Sequence, residues 1–500
     1  MRKDNQPYLP LNHTPVKGSQ DFKDFQNFYQ RLNTVLVESG LDLQFGLLYV
    51  EAIKKEKGLK AEKSGKTYMM PEQDHLAYRQ QGIEALRCNI IREQESLSYR
   101  KLNIALASNT VLQNFCHLGS LSCIRVPSKS KLQSYASRLG CDNLSKIHDR
   151  FNTVLFKDKV FVEDIEAGDL YMDSTCVKAQ MRYPVDWLLI RDGCRTMLKA
   201  MKLIRKSGVK CRMPKLSGFM TQLNGLCIEM AAASRTKDAG KKRKATLRKM
   251  KKLEKVIRKH AQNHFEAFEQ VWPQSTYTQG RAELILNRIK KTIDIMPAVI
   301  HQAHERIIGE RQVKNSDKIL SLYQNDIHIV KRRKSEARNE FGSQLLIAEQ
   351  ADGFIVDFHF EKDKVSDDSK MVPSIIERFE TLFNQAPLSI TTDRGFSSPK
   401  NTELLASKKI YNAICPRSVP ELKEKMTDDV FRNKLKRRGP NEGRVGIVKN
   451  NFLRGAQKAY GYNNRHKAVS WGVLVHNLSK LTKLLLAKEH ECKKKTHNYA

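Results

Sequence analysis

Residues 169–177 read DLYMDSTCV, an apolar run that carries an acid, Asp173, near its centre. The run has the length and the residue types of a β-strand. An acid is disfavoured inside a strand, and burying it without a partner costs free energy. We therefore treat Asp173 as a candidate functional residue.

The chain after this strand predicts a further set of regular elements. They are a hairpin over 343–360, a helix over 372–383, a strand over 388–392, a strand over 409–415 and a helix over 441–453. Asp352-Gly353 is a residue pair that favours a tight hairpin turn. A last apolar helix around Trp471 and Leu478 is expected to lie in the core.

Two more acids occupy distinctive places in this series. Asp393 closes the strand 388–392, and Glu442 begins the late helix after Gly439-Pro440. Carboxylates that converge offer the hard oxygen ligands that Mg²⁺ prefers. Two such ions about 4 Å apart can activate an attacking oxygen and stabilise the leaving oxygen of a phosphodiester. The alternative is three unrelated surface acids among the 54 in the chain.

Charge is the dominant compositional feature of the 500 residues. Lys and Arg total 89 and Asp and Glu total 54, which gives a net charge of +35. So basic a chain repels itself unless it meets a polyanion, and nucleic acid is favoured over an anionic membrane surface. A generally basic proteome or association with the ribosome would explain the same charge.

Composition also limits where the protein acts. The length suggests two to four domains, and 40% hydrophobic residues allow a sizeable core. We find no apolar run long enough to span a membrane and no export signal at the start. The ten cysteines form no C-x-x-C pair, so we expect reduced thiols in a cytoplasm.

A helix over 127–139 is one candidate for DNA contact. Ser128 or Ser130 can cap it, and Leu132, Tyr135, Ala136 and Leu139 form one apolar stripe. Its basic residues are Lys129, Lys131 and Arg138. Two interpretations stay open: a helix-turn-helix whose last helix enters a major groove, or a plain helical bundle with a solvated basic face.

A second candidate is the segment 241–260, which holds eleven Lys or Arg and one acid, Glu254. Leu247, Met250, Leu253 and Ile257 recur at helical spacing. The pattern predicts a helix with one buried face and one very basic face. We expect the basic face, which includes Lys241, Lys242 and Lys244, to bind phosphates rather than to be merely solvated.

Taken together, three motifs resemble those of the DDE transposases of bacterial insertion sequences. They are Met172-Asp173-Ser174-Thr175 with Arg182-Tyr183-Pro184, then Thr392-Asp393-Arg394-Gly395-Phe396, then Glu442-Gly443-Arg444. One large subgroup has the signature Tyr, two residues, Arg, three residues, Glu, six residues, Lys. Arg438, Glu442 and Lys449 fall at that spacing, whereas Leu435 stands at the Tyr position.

The resemblance implies an α/β RNase H-like catalytic core, a mixed sheet with flanking helices. The predicted order of strands and helices agrees with that core, preceded by an N-terminal α-helical DNA-binding region and interrupted by a large helical insertion after the first core strand. The boundaries predicted from the pattern along the chain are 1–75 for an N-terminal region, 76–160 for a helical, DNA-binding domain, 161–200 for the first part of the core, 201–335 for a basic helical insertion, 336–485 for the rest of the core and 486–500 for a basic tail. Some relatives carry a large insertion between the second Asp and the Glu, so the position of this insertion departs from theirs.

The implied activity is Mg²⁺-dependent DNA strand cleavage and strand transfer, with Mn²⁺ as a substitute and two ions at the site. Asp173, Asp393 and Glu442 would be the catalytic and metal-binding residues. Arg394, Arg438 and Lys449 would contact DNA near the cleaved phosphate. The implied partners are the transposon ends and target DNA, with no membrane and with a homodimer assembled on DNA in a bacterial cytoplasm, at the nucleoid.

Two other classes of function compete with a transposase. One is a non-catalytic DNA-binding regulator derived from a transposase, and the other is a structural RNA-binding protein. The presence of all three acids argues against loss of a metal ligand, and the RNA-binding interpretation is supported by charge alone.

Overall fold

The computed structural model describes residues 18–119, 123–209, 211–233, 235, 237–315, 317–331, 339–363, 367–453 and 459–497. They divide into two compact units. The sheet unit comprises the residues up to Lys178 and those from Ser343 onward. The helical unit comprises Ala179–Gly342 and thus lies within the sequence of the sheet unit.

A mixed β-sheet organises the sheet unit. Its strands are β1 (Asp169–Lys178), β3 (Asn339–Glu349), β4 (Ile355–Phe360), β5 (Ser389–Thr392) and β6 (Tyr411–Ile414). They are ordered β4-β3-β1-β5-β6, with β3 and β4 antiparallel and with β5 parallel to both β1 and β6. The predicted strands at 169–177, 388–392 and 409–415 are thereby confirmed to within two residues at each end.

The predicted hairpin is the β3–β4 pair. Gly353 has φ +82°, and its N–H donates to the carbonyl oxygen of Gln350 over 2.8 Å. A glycine adopts this left-handed conformation without the steric cost that other residues carry. The turn at Asp352-Gly353 is therefore confirmed.

Helices precede β1 in sequence, and others connect or follow the later strands. Those before it are α1 (Gln20–Glu38), α2 (Leu41–Glu62), α3 (Glu72–Gln94), α4 (Tyr99–Ser108), α5 (Thr110–Phe115), α6 (Lys129–Arg138) and α7 (Cys141–Asn152). α12 (Val372–Phe383) lies between β4 and β5, and α13 (Pro399–Ser407) lies between β5 and β6; after β6 come α14 (Val419–Lys425), α15 (Asp429–Ile447) and α16 (Tyr462–His497). The helix predicted over 372–383 matches α12 at both ends.

One hydrophobic core joins the N-terminal helices to the sheet. Leu36 of α1, Phe45 of α2 and Met172 of β1 belong to the same buried cluster. The ring of Phe45 lies 5.7 Å from that of Trp471, which sits in the core as predicted. The predicted boundaries near residues 75 and 160 therefore do not separate compact units, because the apolar faces of these helices need one another for burial.

The helical unit has its own core. It contains α8 (Asp186–Lys206), α9 (Leu216–Ala233), α10 (Ala239–Val271) and α11 (Gln279–Ile307), and a short strand, β2 (His328–Lys331), pairs with the first four residues of β3. Met250 and Ile257 are fully buried, which confirms the predicted stripe of the basic helix. This unit is longer than the predicted insertion 201–335, because α8 packs its apolar face here.

Two late helices differ from the prediction. α15 runs through Gly439-Pro440, so that Glu442 lies well inside a helix that begins at Asp429. α16 continues to His497 and thus includes most of the predicted tail; the last three residues lie outside the described chain. Among the described helices, none is long and apolar enough to cross a membrane.

Candidate active site

Strand pairing brings Asp173 and Asp393 side by side. In the parallel pair β1–β5, Leu170 faces Ile390 and Tyr171 faces Thr391. The same register, continued by two residues, places Asp393 next to Asp173. These are the first two acids predicted from the sequence, 220 residues apart in the chain.

Proximity changes the chemistry of the Asp173 carboxyl group. Burial and, to a smaller extent, the negative charge of Asp393 raise its pKa to about 6, and Glu442 adds a weaker effect of the same sign. The backbone N–H of Ser174, which donates to Oδ1 of Asp173 over 2.8 Å, and the charge of Arg438 act in the opposite direction. A site that favours neutralisation of a carboxylate in this way also favours a cation beside it.

Asp393 caps a short 3₁₀ turn formed by Arg394–Phe396. Its Oδ1 accepts a hydrogen bond of 2.8 Å from the N–H of Gly395. The side chain of Arg394 is exposed. Arg417, which the sequence patterns did not single out, donates to the carbonyl oxygens of Arg394 and Gly395 over 3.2 and 3.3 Å.

Glu442, on α15, lies near the two aspartates but forms an ion pair with Arg438. Its Oε1 lies 2.9 Å from Nη2 of Arg438, one helical turn earlier. The Glu442 side chain is 58% exposed and that of Arg438 is 23% exposed. Glu442, Arg438, Asp393 and Arg394 line one open cavity of about 700 Å³.

Contacts on both sides of Glu442 fix the position of α15. Asn441 is fully buried, and its Nδ2 donates to the carbonyl oxygen of Tyr171 on β1 over 2.9 Å. Arg444 donates through Nε to Oε2 of the fully buried Glu349 on β3 over 2.9 Å, and Arg437 donates to the carbonyl oxygen of Ala351 in the hairpin turn. The helix is thus tied to the strand that carries Asp173.

Lys449, the last residue of the predicted signature, also reaches β1. Its Nζ lies 3.4 Å from Oγ1 of Thr175, two residues after Asp173. Successive side chains alternate between the faces of a strand, so Thr175 and Asp173 lie on the same face. Lys449 is therefore placed on the side of the sheet that bears the two aspartates.

A fourth acid, Asp368, contacts Ser174, the residue that follows Asp173. Its Oδ2 accepts from Oγ of Ser174 over 3.1 Å, and its Oδ1 accepts from Nε2 of Gln344. No sequence pattern marked Asp368, which precedes α12 in a 3₁₀ turn. Only the folded contacts bring it to Asp173.

The residues predicted for DNA contact on α6 have different environments. Ser128 caps the helix by accepting from the N–H of Lys131, and Lys129 is exposed. Lys131 is half-buried with its Nζ 5.3 Å from the ring centre of Tyr135, and burial lowers its pKa. Arg138 forms an ion pair with Glu56 of α2. Of the three, Lys129 has the most accessible side chain.

On α10 the predicted basic face is open. Lys241 and Lys242 are exposed, whereas Lys244 is half-buried and its Nζ lies 2.8 Å from Oε1 of Glu310. The one acid of the segment, Glu254, is buried and accepts from Nε of Arg258 over 2.9 Å. The carboxylate of Glu254 therefore does not lie on the exposed basic face.

The donor set of this site partly fits a divalent cation. Carboxylate oxygens are the ligands that Mg²⁺ prefers, and Asp173 and Asp393 supply them side by side. Within the described ranges, however, no three or more His, Cys, Asp or Glu side chains are grouped closely enough to hold a metal ion. The third expected ligand, Glu442, is paired with Arg438 instead.

Comparison with protein-family models, with curated proteins and with solved structures gave no match to this chain.

Proposed function

We propose that this chain is a DDE transposase that binds the inverted-repeat ends of its insertion sequence, cleaves them and joins the 3′-OH ends to target DNA. The observation that carries the proposal is the register of β1 and β5, which sets Asp173 beside Asp393. Two carboxylates side by side on adjoining parallel strands form a site where phosphodiester chemistry with divalent cations is feasible.

The arrangement of elements supports an RNase H-like core. A hairpin, β3–β4, flanks one side of β1, and two strands parallel to one another, β5 and β6, flank the other. The three predicted acids come from β1, from the end of β5 and from a helix after β6. This is the order of elements that the motif resemblance implied.

Each residue then has a definite task. Mg²⁺, when bound, supplies an activated oxygen nucleophile and stabilises charge on the phosphate. Asp173 and Asp393 hold the cations, and Arg394, Arg438 and Lys449 bind the phosphates that flank the cleaved bond. When Arg438 binds a phosphate it releases Glu442, whose carboxylate then completes the site.

A second candidate is a DNA-binding regulator without catalytic activity. The ion pair between Arg438 and Glu442 favours this regulator. While Glu442 is paired with Arg438, only Asp173 and Asp393 remain to bind a cation. Binding by basic residues would persist, since it depends on phosphate neutralisation rather than on the acids.

A cleavage assay separates the two candidates. We expect the protein to nick or cut DNA that carries its element's ends in Mg²⁺ or Mn²⁺, and to bind but hardly cleave in Ca²⁺, whose larger and looser coordination shell does not hold in-line geometry. Asp173→Asn, Asp393→Asn and Glu442→Gln should each abolish cleavage and leave DNA affinity unchanged.

Asp164→Asn is the matched control, because the Asp164 side chain is 91% exposed. Cleavage that survives in EDTA would exclude the metal mechanism. DNA binding without any cleavage by the unaltered protein would favour the regulator.

A further inference from the structure

We propose that Asp368 is a positioning residue of the catalytic site, acting on Asp173 through Ser174. The inference rests on the proposed function, since it concerns the same pair of aspartates. It adds a residue that the three-acid pattern does not contain.

The first line of support is the chain of contacts from Asp368 to Asp173. The hydroxyl of Ser174 donates to Oδ2 of Asp368 over 3.1 Å, and the N–H of the same serine donates to Oδ1 of Asp173 over 2.8 Å. Ser174 therefore contacts both carboxylates, that of Asp368 through its hydroxyl and that of Asp173 through its backbone N–H. Fixing its side chain fixes the backbone N–H that orients Asp173.

A second line of support is that Asp368 is itself held from the neighbouring strand. Nε2 of Gln344 on β3 donates to Oδ1 of Asp368, and Gln344 is buried. Both carboxylate oxygens thus accept hydrogen bonds from protein donors. A carboxylate held in this way orients a neighbouring group, as the partners of metal ligands do elsewhere.

The third line of support is the link between Asp368 and Asp393. A Cβ built on Gly395 would lie 3.0 Å from Oδ1 of Asp393 and 3.5 Å from Oδ2 of Asp368. The buried Asn401 ties the two turns together, because its Nδ2 donates over 2.8 Å to the carbonyl oxygens of both Ser369 and Phe396. Asp368 therefore contacts β1 while its turn is fastened to the turn that Asp393 caps.

The test is a double-mutant cycle between Ser174 and Asp368. We expect Asp368→Ala and Ser174→Ala each to lower the cleavage rate at saturating Mg²⁺ by about 10–100-fold. The double variant should be no slower than Asp368→Ala, because that change alone already removes the contact between the Ser174 hydroxyl and Asp368. DNA affinity and melting temperature should stay close to those of the unaltered protein.

Asp368→Asn is the conservative variant. Its amide oxygen still accepts from Ser174, and Gln344 can turn its own oxygen toward the new amide nitrogen, so we expect most of the cleavage rate to return. Calorimetric titration with Mn²⁺ in the absence of DNA gives a readout other than activity. The affinity of the protein for Mn²⁺ should fall in the two alanine variants and recover in Asp368→Asn.

These measurements distinguish failure of the inference from failure of the proposed function. Cleavage lost in Asp173→Asn but normal in Asp368→Ala would overturn the role of Asp368 and leave the transposase proposal standing. The role of Asp368 would also be overturned if the fold-losses in cleavage rate of Ser174→Ala and Asp368→Ala multiplied in the double variant. An unaltered protein that neither cleaves DNA nor binds Mn²⁺ would refute both.

Discussion

Glu84 shows at the scale of one residue how burial alters a carboxyl group in this chain. It lies on α3, and burial raises its pKa to about 7. The hydroxyl of Tyr135 donates to its Oε1 over 2.9 Å, which lowers the pKa by a smaller amount, as does the charge of Lys131. The folded protein therefore takes up a proton here that the unfolded chain releases.

This difference predicts a pH-dependent effect of Glu84→Gln. The folded pKa lies above the unfolded value of 4.5, so ionised Glu84 destabilises the fold as the pH rises from about 4.5 to about 7, and the penalty is complete above that range. The amide keeps the acceptor for Tyr135 and carries no charge. We expect the variant to gain about 1–3 kcal/mol in unfolding free energy at pH 8 and nothing at pH 4.

Urea unfolding at both pH values measures the effect. Glu62→Gln, an exposed site on α2, is the control and should change stability at neither pH. A gain for Glu84→Gln that is equal at pH 4 and pH 8 would mean that the charge of Glu84 is not its cause.

Some residue contacts follow from the sequence and others do not. Asp173 and Asp393 could be predicted to meet, because one lies within a predicted strand, the other closes a second one, and the motif resemblance implied a shared metal site. Asp368 could not be predicted, because its contacts depend on how a turn before α12 packs against β1. The engagement of Arg438 with Glu442 also required the structure, since spacing on a helix does not determine which partner a side chain takes.

At the scale of elements, the hairpin turn holds the helix that carries Glu442. A Cβ on Gly353 would lie 2.2 Å from Nη2 of Arg444, so the guanidinium group fills the space that the glycine leaves. Arg444 in turn donates to Glu349. A side chain at residue 353 would therefore displace the guanidinium group of Arg444 as well as strain the turn.

Gly353→Ala is predicted to slow cleavage and to lower stability. We expect a loss of about 1–3 kcal/mol in unfolding free energy, because alanine is strained at positive φ and Arg444 must move. The matched control is Gly461→Ala, where φ is +83° and no described atom lies within 4 Å of the added Cβ. Alanine at residue 461 introduces the same backbone strain without displacing an arginine side chain.

Both variants are compared by thermal unfolding and by cleavage rate. Equal cleavage rates in the two variants would show that Arg444 does not position α15 for catalysis.

The basic helix α10 gives a second prediction at this scale. Reversing Lys241 and Lys242 to Glu should weaken binding to specific and random DNA alike, because Lys acts as a point charge that binds phosphates without reading bases. The slope of log affinity against log salt should become shallower by roughly one unit for each phosphate that the protein no longer neutralises. Lys244 is left unchanged, since its ion pair with Glu310 would be broken as well.

Lys54 and Lys55, both exposed on α2, provide a control with the same change in charge. Titrations at several salt concentrations compare the two double variants. An equal fall in affinity in both would indicate a general effect of net charge rather than a DNA-binding face on α10.

Elements with strong local patterns were predicted closely, and those interrupted by Gly and Pro were not. α12 and the hairpin agree with their patterns because hydrophobic spacing and turn chemistry act locally. α15 begins twelve residues before the predicted start at 441, because the contacts of Asn441 with β1 and of Arg444 with β3 stabilise it through Pro440. Proline removes one N–H from a helix, a cost that tertiary packing can offset.

At the scale of the whole molecule, the helical unit begins and ends at neighbouring strands. The N–H of Ala179 donates to the carbonyl oxygen of Phe341 over 3.0 Å, and β1 and β3 are adjacent in the sheet. The two ends of the insertion are therefore close together. A short turn could join β1 directly to β3.

Replacing residues 180–340 by an Asn-Gly turn should leave a folded sheet unit. We expect a cooperative unfolding transition, because the core of this unit contains no residue from the deleted segment. Deleting residues 18–160 instead should abolish cooperative unfolding, because it removes Leu36, Phe45 and their neighbours from that core. Circular dichroism during urea titration compares the two deletions.

Cooperative unfolding after the N-terminal deletion would mean that the shared core is dispensable. A non-cooperative transition after the first deletion would mean that the helical unit is needed for folding.

The unit boundaries were the least predictable feature. A long basic helical segment inside an α/β chain could be identified as an insertion from its pattern. That α8 belongs to it, and that α1–α7 share a core with the sheet, follows from which apolar faces meet, and periodicity shows that a face is apolar without showing what covers it.

The register of β1 and β5 has a consequence for how the sequence can change during evolution. The adjacency of Asp173 and Asp393 depends on strand pairing and does not depend on the number of residues between β1 and β5 in the sequence. Over many generations, therefore, gains and losses of whole helices should accumulate between Ala179 and Gly342 without harm to the pair. The segment between Phe383 and Ser389 is more constrained. An inserted residue that shifted the register of β5 by one position would turn Asp393 to the opposite face of the sheet.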